Sequence, residues 1–420
     1  MWKWLFFSSL TIGCGGSEEV DPPDASLCDR TAGVVTVRTR PELSVIAHDR
    51  TGAIAGQTSS GSTGEVQIDV PACGMVTVAR VPGELFGGSV LTWTDVRGGD
   101  VLAFGAPPTA MSSSEGTVVT FAPMTGAGAY SIGGGCVVGA GGRPGYDIDC
   151  QGTSVSESPA SFYLHGIGTP PIGTVFAMAR DQQVPVSYAF ATGVTPGDMV
   201  VLPTWRTDYD DVTVTATNVP VATVPSLGVG LGFGPAMGYW PSPELVDRGG
   251  GNWSSTVQVP IGPTARIARI AMTPGTSIDA LGLIAHPLAT PAVTIDVGAT
   301  MLPYIDAMAI DMQEPPILNW TVATGADAAD AVVLEVGGGA RWWLIAPPEV
   351  RSVQLPQLPA ELLVTTERSL SALTIIDVDG INGYREAIGR ADELGSALFR
   401  PAPFRISSAG DSGPLLFEFR

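Results

Sequence analysis

The chain has 420 residues, 53 of them glycine and 35 proline, and carries 41 acidic against 21 basic side chains, a formal charge of −20. No stretch gathers arginine or lysine, which excludes a phosphate-neutralising nucleic-acid surface and a polybasic lipid-binding patch. Lys3 is the one lysine, so a chain that sheds its N-terminus has no Walker A, Schiff-base or kinase lysine. The length predicts two to four domains. Abundant Val, Thr and Ile in alternating runs, cut by Gly and Pro, predict an all-β protein of three or four consecutive antiparallel β-sandwich domains.

Met1 to Trp4 (MWKW) carry a positive charge, and Leu5 to Ile12 form a brief apolar run. It is far shorter than the about 20 residues a spanning helix needs. A charged start, an apolar stretch and small residues before a cut predict a secretory signal over 1–13. Leu10-Thr11-Ile12-Gly13-Cys14 resembles the lipobox of bacterial lipoproteins, with Thr11 standing where leucine is commonest. The resemblance implies cleavage before Cys14, palmitate-type acylation of its thiol, and attachment to a membrane through those acyl chains. Residues 14–27 (CGGSEEVDPPDASL) read as a flexible acidic tether. By the same analogy, Gly15 in place of the aspartate that retains such proteins at the inner membrane implies the outer membrane, facing the periplasm or the cell surface.

Five cysteines are present, and setting Cys14 aside leaves an even set: Cys28, Cys73, Cys136 and Cys150. In an oxidising compartment these predict two disulfides. Three connectivities exist. Cys28–Cys73 and Cys136–Cys150 are favoured because each pair falls within one predicted domain, and the second closes a loop worth about 3 kcal/mol of chain entropy. Zinc is disfavoured, since no Cys-x-x-Cys pair occurs.

Residues 28–107 read as a β-sandwich with strands at GVVTVRT, LSVIAHD, EVQIDVP, MVTVARV and VLTWTDV. The stretch VIAHDRTGAIAGQTSSGSTGEVQIDVPACGMVTVARV resembles the carboxypeptidase regulatory-like, or transthyretin-like, domain, which implies a folding or binding module without catalytic residues. Residues 108–218 form a second β unit, and 219–298 a third sandwich or a continuation of the second. Residues 299–420 resemble a fibronectin type III sandwich, with Trp320 placed like that family's early core tryptophan. One helix is predicted over 384–399, with apolar residues at Ile388, Leu394 and Leu398.

Chemistry-bearing clusters are sparse. Asp208, Asp210 and Asp211 are the candidates for a calcium site, since hard cations take clustered carboxylates; no other metal or cofactor is indicated. Asp377 and Asp379 in DVDGINGYREA lack the spacing of a calcium loop, with Ile381 at a ligand position. His48, His165 and His286 stand alone, without the spacing of metal ligands. Gly410-Asp411-Ser412-Gly413 resembles the nucleophile loop of chymotrypsin-like proteases but lacks one glycine and the following strands, and reads as a turn. Trp342-Trp343 point to opposite faces of a strand, so one indole is the candidate platform for stacking a sugar or a partner. The leading expectation is a lipid-anchored envelope protein without catalysis, acting as a structural, adhesion or binding module toward an envelope protein or a polysaccharide. The alternative is a secreted hydrolase of carbohydrate or peptide, with a carboxylate site in 108–298.

Overall fold

The computed structural model describes residues 31–80, 89–103, 116–134, 136–137, 153–155, 160–163, 167–168, 171–181, 184–195, 197–221, 223–233, 236–273, 280–323, 325–337, 341–362, 369–397 and 402–410. The fold is all-β. The first strands are β1 (Gly33–Arg38), β2 (Ser44–His48), β3 (Ile54–Ser59), β4 (Glu65–Val70), β5 (Gly74–Arg80), β6 (Ser89–Val96) and β7 (Val101–Ala103). β4 keeps the alternation expected of a strand with one wet face: Ile68 and Val70 are buried, and Glu65, Gln67 and Asp69 are partly or fully exposed. β5 and β6, by contrast, are buried almost throughout. A strand covered on both faces reads as a nearly continuous apolar run, which is the pattern of GMVTVAR and SVLTWTDV.

The cause is a thirteen-stranded sheet. It runs from Cys136–Val137 through Ala236–Trp240, Val224–Phe233, Ala265–Thr273, Ala280–Pro287, Phe404–Gly410, Ser369–Val378, Ala331–Gly337 and Arg341–Ala346, and then through β6, β5, β2 and β3. Backbone pairing thus joins strands drawn from 28–107, 108–218, 219–298 and 299–420. Cys136–Val137 attaches the second of these through Ala236–Trp240, and two longer junctions join the others. β6 pairs in parallel with Arg341–Ala346, from Ser89 opposite Arg341 to Trp93 opposite Ile345. Ala280–Pro287 pairs antiparallel with Phe404–Gly410.

Smaller sheets and helices cover this long sheet. On one face lie the sheet of β4, β1 and β7 and two short helices, α2 (Tyr384–Ile388) and α3 (Ala391–Ser396), enclosing a core that includes Val35, Val76, Trp93, Trp343 and Leu394. On the other lies the sheet of Ile305–Asp311, Ile317–Val322 and Ser352–Gln354, whose Leu318 and Trp320 meet Ile46, Val90, Trp342 and Leu344. Trp320 therefore sits in a core, as its position predicts. Further along, the sheet of Tyr209–Thr217, Asn252–Pro260, Val246–Gly249 and Ala292–Asp296 packs on Val229, Leu231 and Ile270; helix α1 (Val297–Thr300), capped by Asp296, ends it. The strand Pro171–Asp181 serves two cores at once: Val175, Ala177 and Ala179 enter one, Phe176 and Met178 the other.

The single helix expected over 384–399 is two. Gly389 breaks it, and a Cβ there would lie 3.2 Å from the Val101 carbonyl oxygen; the backbone of Arg390 is non-helical. That turn passes close to β7, where a side chain would be tight, and glycine weakens the helix at the same point. Leu398 lies outside the described residues.

The parallel junction at β6 is clamped by α2. The buried Tyr384 hydroxyl sits 2.6 Å from the Thr94 carbonyl and 3.0 Å from the Ile345 carbonyl, one on each side of the junction. Arg385 beside it reaches Asp95 at 3.1 Å and Asp100 at 2.7 Å. Tyr384→Phe removes the hydrogen these carbonyls share and is expected to cost about 1–2 kcal/mol, read as a lowered urea midpoint. An unchanged midpoint would show that the Tyr384 hydroxyl does not clamp the junction.

Candidate functional site

Cys14, Cys28, Cys150, His165 and Ser412 lie outside the described residues. Cys136 is in a two-residue strand paired with Ala236–Trp240. Cys73 is disulfide-bonded. It occupies the turn between β4 and β5 with a φ of 54°, a left-handed conformation that few side chains adopt.

The tryptophan pair departs from its expected role. Trp342 and Trp343 do point to opposite faces, but both faces are covered, leaving them 4% and 1% exposed. Neither offers an indole to solvent, so neither is a stacking platform. A strand that looked half-wet in isolation lies in the middle of a layered stack, and the layer over Trp342 comes from 302–355.

The calcium candidates are also dispersed. Asp208 is bound by the guanidinium of Arg206, with Arg206 Nε 2.9 Å from Asp208 Oδ1. Asp210 pairs with Arg266, and Asp211 is exposed. Asp210 and Asp211 are neighbours on one strand, and alternation sends their side chains to opposite faces. Their oxygens do not converge. Among the described residues no group of three or more His, Cys, Asp or Glu is placed to hold a metal ion. Three other described carboxylates of this region serve turns and caps. Asp198 accepts from the Thr195 amide and hydroxyl, Asp247 from the Gly249 amide, and Asp296 from Ala299 and Asn218.

The same holds beside DVDGINGYREA. Asp377 pairs with Arg405 at 2.8 Å, and Ile381 is buried in the core. The organising carboxylate is one that sequence spacing does not mark, Asp330, 2% exposed. Its two oxygens each accept a backbone N–H at 2.8 Å, from Val378 and from Gly383, pinning both ends of the loop. Burial pushes its pKa above the ordinary range against the pull of those two bonds. The signal in the sequence is an Asp placed directly before an apolar strand, the second of two in ADAADAVVLEV.

Among the described residues, Tyr188, Phe190, Tyr209 and Trp240 form an aromatic cluster, with Arg206 over the Tyr188 ring at 5.3 Å. The Tyr188 hydroxyl accepts from the Ile261 amide at 2.9 Å and lies 2.9 Å from the Asp208 carbonyl. Burial holds Tyr209 up at about 12. These bonds tie the Val184–Val194 strand to the loops at 208 and 261, which is a structural duty. His286 bonds the Pro287 carbonyl through Nδ1. His48 is wholly buried in β2, where its Nε2 meets the Thr77 hydroxyl at 2.9 Å. What the geometry provides is a set of joints between strands.

No known protein family matches the sequence, and neither does any curated protein. Among solved structures, the Bacillus anthracis TIE protein is 9% identical, with 63% of this chain aligned to 50% of that one at a TM-score of 0.16. The N-terminal four Ig domains of Dscam1 isoform 4.4 are 10% identical, with 82% of this chain aligned to 96% of that one at a TM-score of 0.12. The chain thus spans half the length of the TIE protein, and overlaps this low carry no argument about function. Among the described residues no helix is long and apolar enough to cross a membrane.

Asp330→Ala would leave the Val378 and Gly383 amides without their acceptor. Two orphaned buried donors are expected to cost about 2–4 kcal/mol, measured by chemical denaturation. A loss below about 0.5 kcal/mol would show that water replaces the carboxylate.

Proposed function

We propose that this chain is a lipid-anchored protein of the bacterial outer membrane, held by acyl chains on Cys14, that acts as a structural, adhesion or binding module without catalysis. Its partner on this reading is another envelope protein or a polysaccharide. The observation that carries the non-catalytic part is how the polar side chains are used: Asp198, Asp208, Asp210, Asp247, Asp296 and Asp330 each hold a turn, a cap or an arginine. A hydrolase needs carboxylates directed at a substrate, with a pKa tuned by a common cleft. The lipobox-like stretch and the acidic tether support the anchor, and the oxidised state of Cys73 suits an exported chain.

The pairing Cys28–Cys73 belongs to the same proposal, with Cys136–Cys150 as its companion. Peptide mapping under non-reducing conditions is expected to recover both linked pairs. Recovery of crossed pairs would refute the assignment.

The anchor is tested by growth with a clickable palmitate analogue. The wild type is expected to take up label and fractionate with the outer membrane, while Cys14→Ser stays unlabelled and soluble. Label retained by Cys14→Ser overturns the anchor.

A further inference from the structure

Four polar side chains cross the β6 junction inside the protein. His48 Nε2 lies 2.9 Å from Thr77 Oγ1, which lies 2.8 Å from Thr92 Oγ1, which accepts from Trp342 Nε1 at 2.9 Å. The four are at most 5% exposed and stand on β2, β5, β6 and the Arg341–Ala346 strand, which neighbour one another in that order. Thr77 and Thr92 are directly opposed, whereas His48 and Trp342 reach them diagonally.

Hydrogen counting sets the direction of this string. The indole nitrogen only donates, and each hydroxyl has one hydrogen to give. Thr92 accepts from Trp342 and passes its own hydrogen to Thr77, which passes its own to His48. In this direction both hydroxyl hydrogens and the indole hydrogen are used within the string, and Nε2 of His48 is the bare nitrogen. Nδ1 carries the ring hydrogen and faces the Gly52 backbone without closing a bond of full strength. The opposite direction leaves Thr92 accepting twice, with its own hydrogen unplaced inside the string.

We propose that this string is an acid-sensitive latch across the β6 junction, closed while His48 is neutral with its hydrogen on Nδ1 and opened when His48 takes up a second proton. That proton lands on Nε2, facing the hydroxyl hydrogen of Thr77. Both threonines must then reverse, Thr92 loses its acceptor, and a charge is buried in the stack. Each consequence penalises the closed junction.

The surroundings offer the charged ring little help. Burial is the largest influence and pushes His48 down from 6.5 to about 4, against smaller opposing effects of the Gly52 backbone and Asp49. β3 carries no titratable residue. β5 carries only Arg80, at the far end of the strand from Met75, which pairs opposite His48. β6 carries only Asp95, already held by Arg385. The Arg341–Ala346 strand carries only Arg341, opposite Ser89, and residues 352–358, which bond Gly52 through the Gln357 amide, carry none.

The sign follows from linkage. The unfolded chain binds the proton near 6.5 and the folded chain only near 4, so the contribution of the latch is fully present above 6.5 and is lost as pH falls from 6.5 to 4. The loss is about tenfold in the unfolding constant per pH unit, about 300-fold in all.

The test uses the full chain labelled with 15N-histidine, which gives three imidazoles; His165→Gln and His286→Gln assign the third by elimination. The expected result is a neutral His48 with hydrogen on Nδ1, titrating near pH 4. A hydrogen on Nε2, or titration near 6.5, overturns the proposal. Urea unfolding from pH 7.5 to 4 supplies a second reading. Because pH 4 is the midpoint of the folded titration, the wild type is expected to lose about 150-fold more than His48→Gln over this range, and parallel losses in the two proteins also overturn it. If His48→Gln does not fold, the wild-type resonances decide alone.

Discussion

The parallel pairing of β6 with Arg341–Ala346 is the constraint on which the rest of the molecule depends. It brings together strands about 250 residues apart, and neither strand could stand as an edge: both are apolar on each face. An uncovered edge of that composition would recruit other chains. Once the two are paired, the sheet runs on through the C-terminal strands to Ala280–Pro287 and beyond, and the flanking sheets acquire faces to cover. The junction is fastened on one face by Tyr384 and Arg385, and on the other by Trp342 through Thr92. Hydrogen bonds to buried carbonyls and hydroxyls are directional where apolar packing is not, so they set the register of two otherwise slippery strands.

A sheet covered on both faces leaves function to edges and loops. The layer built on Leu318 and Trp320 closes one face, and α2 and α3 with the β1 sheet close the other. Aromatic side chains that suggest binding when read singly, Trp342 and Trp343, become packing and fastening groups. The carboxylates follow the same rule. Asp330 is the clearest case, since a buried acid that accepts two backbone amides is more useful to a loop than to a substrate.

The two ways polar groups are buried here differ in what they do under changing conditions. Tyr384 is neutral across physiological pH, and its bonds are insensitive to acid. His48 ends a string in which every hydrogen has one assigned place, so a single added proton disturbs all four members. On the proposal above, the protein carries one joint that responds to acidity beside others that do not.

Local chemistry made several elements legible without any structure. Alternation in EVQIDV, the turn residues between runs and the core position of Trp320 all act over a few residues, where side-chain period and backbone preference decide. The lipobox resemblance at Cys14 is likewise a short-range pattern. By contrast, SVLTWTDV and RWWLIA show that a strand is apolar on both sides but not which strand lies beside it or what lies over it. The break at Gly389 depends on how close β7 comes. The dispersal of Asp208, Asp210 and Asp211 depends on Arg206 and Arg266 arriving from other segments, and the role of Asp330 on a loop some fifty residues away in sequence. The sequence alone determined the all-β class and most strand positions, because these follow from period and composition. Only the tertiary structure decided which strands meet and which polar groups are consumed in joining them, because long-range pairing is chosen by the complementarity of whole faces.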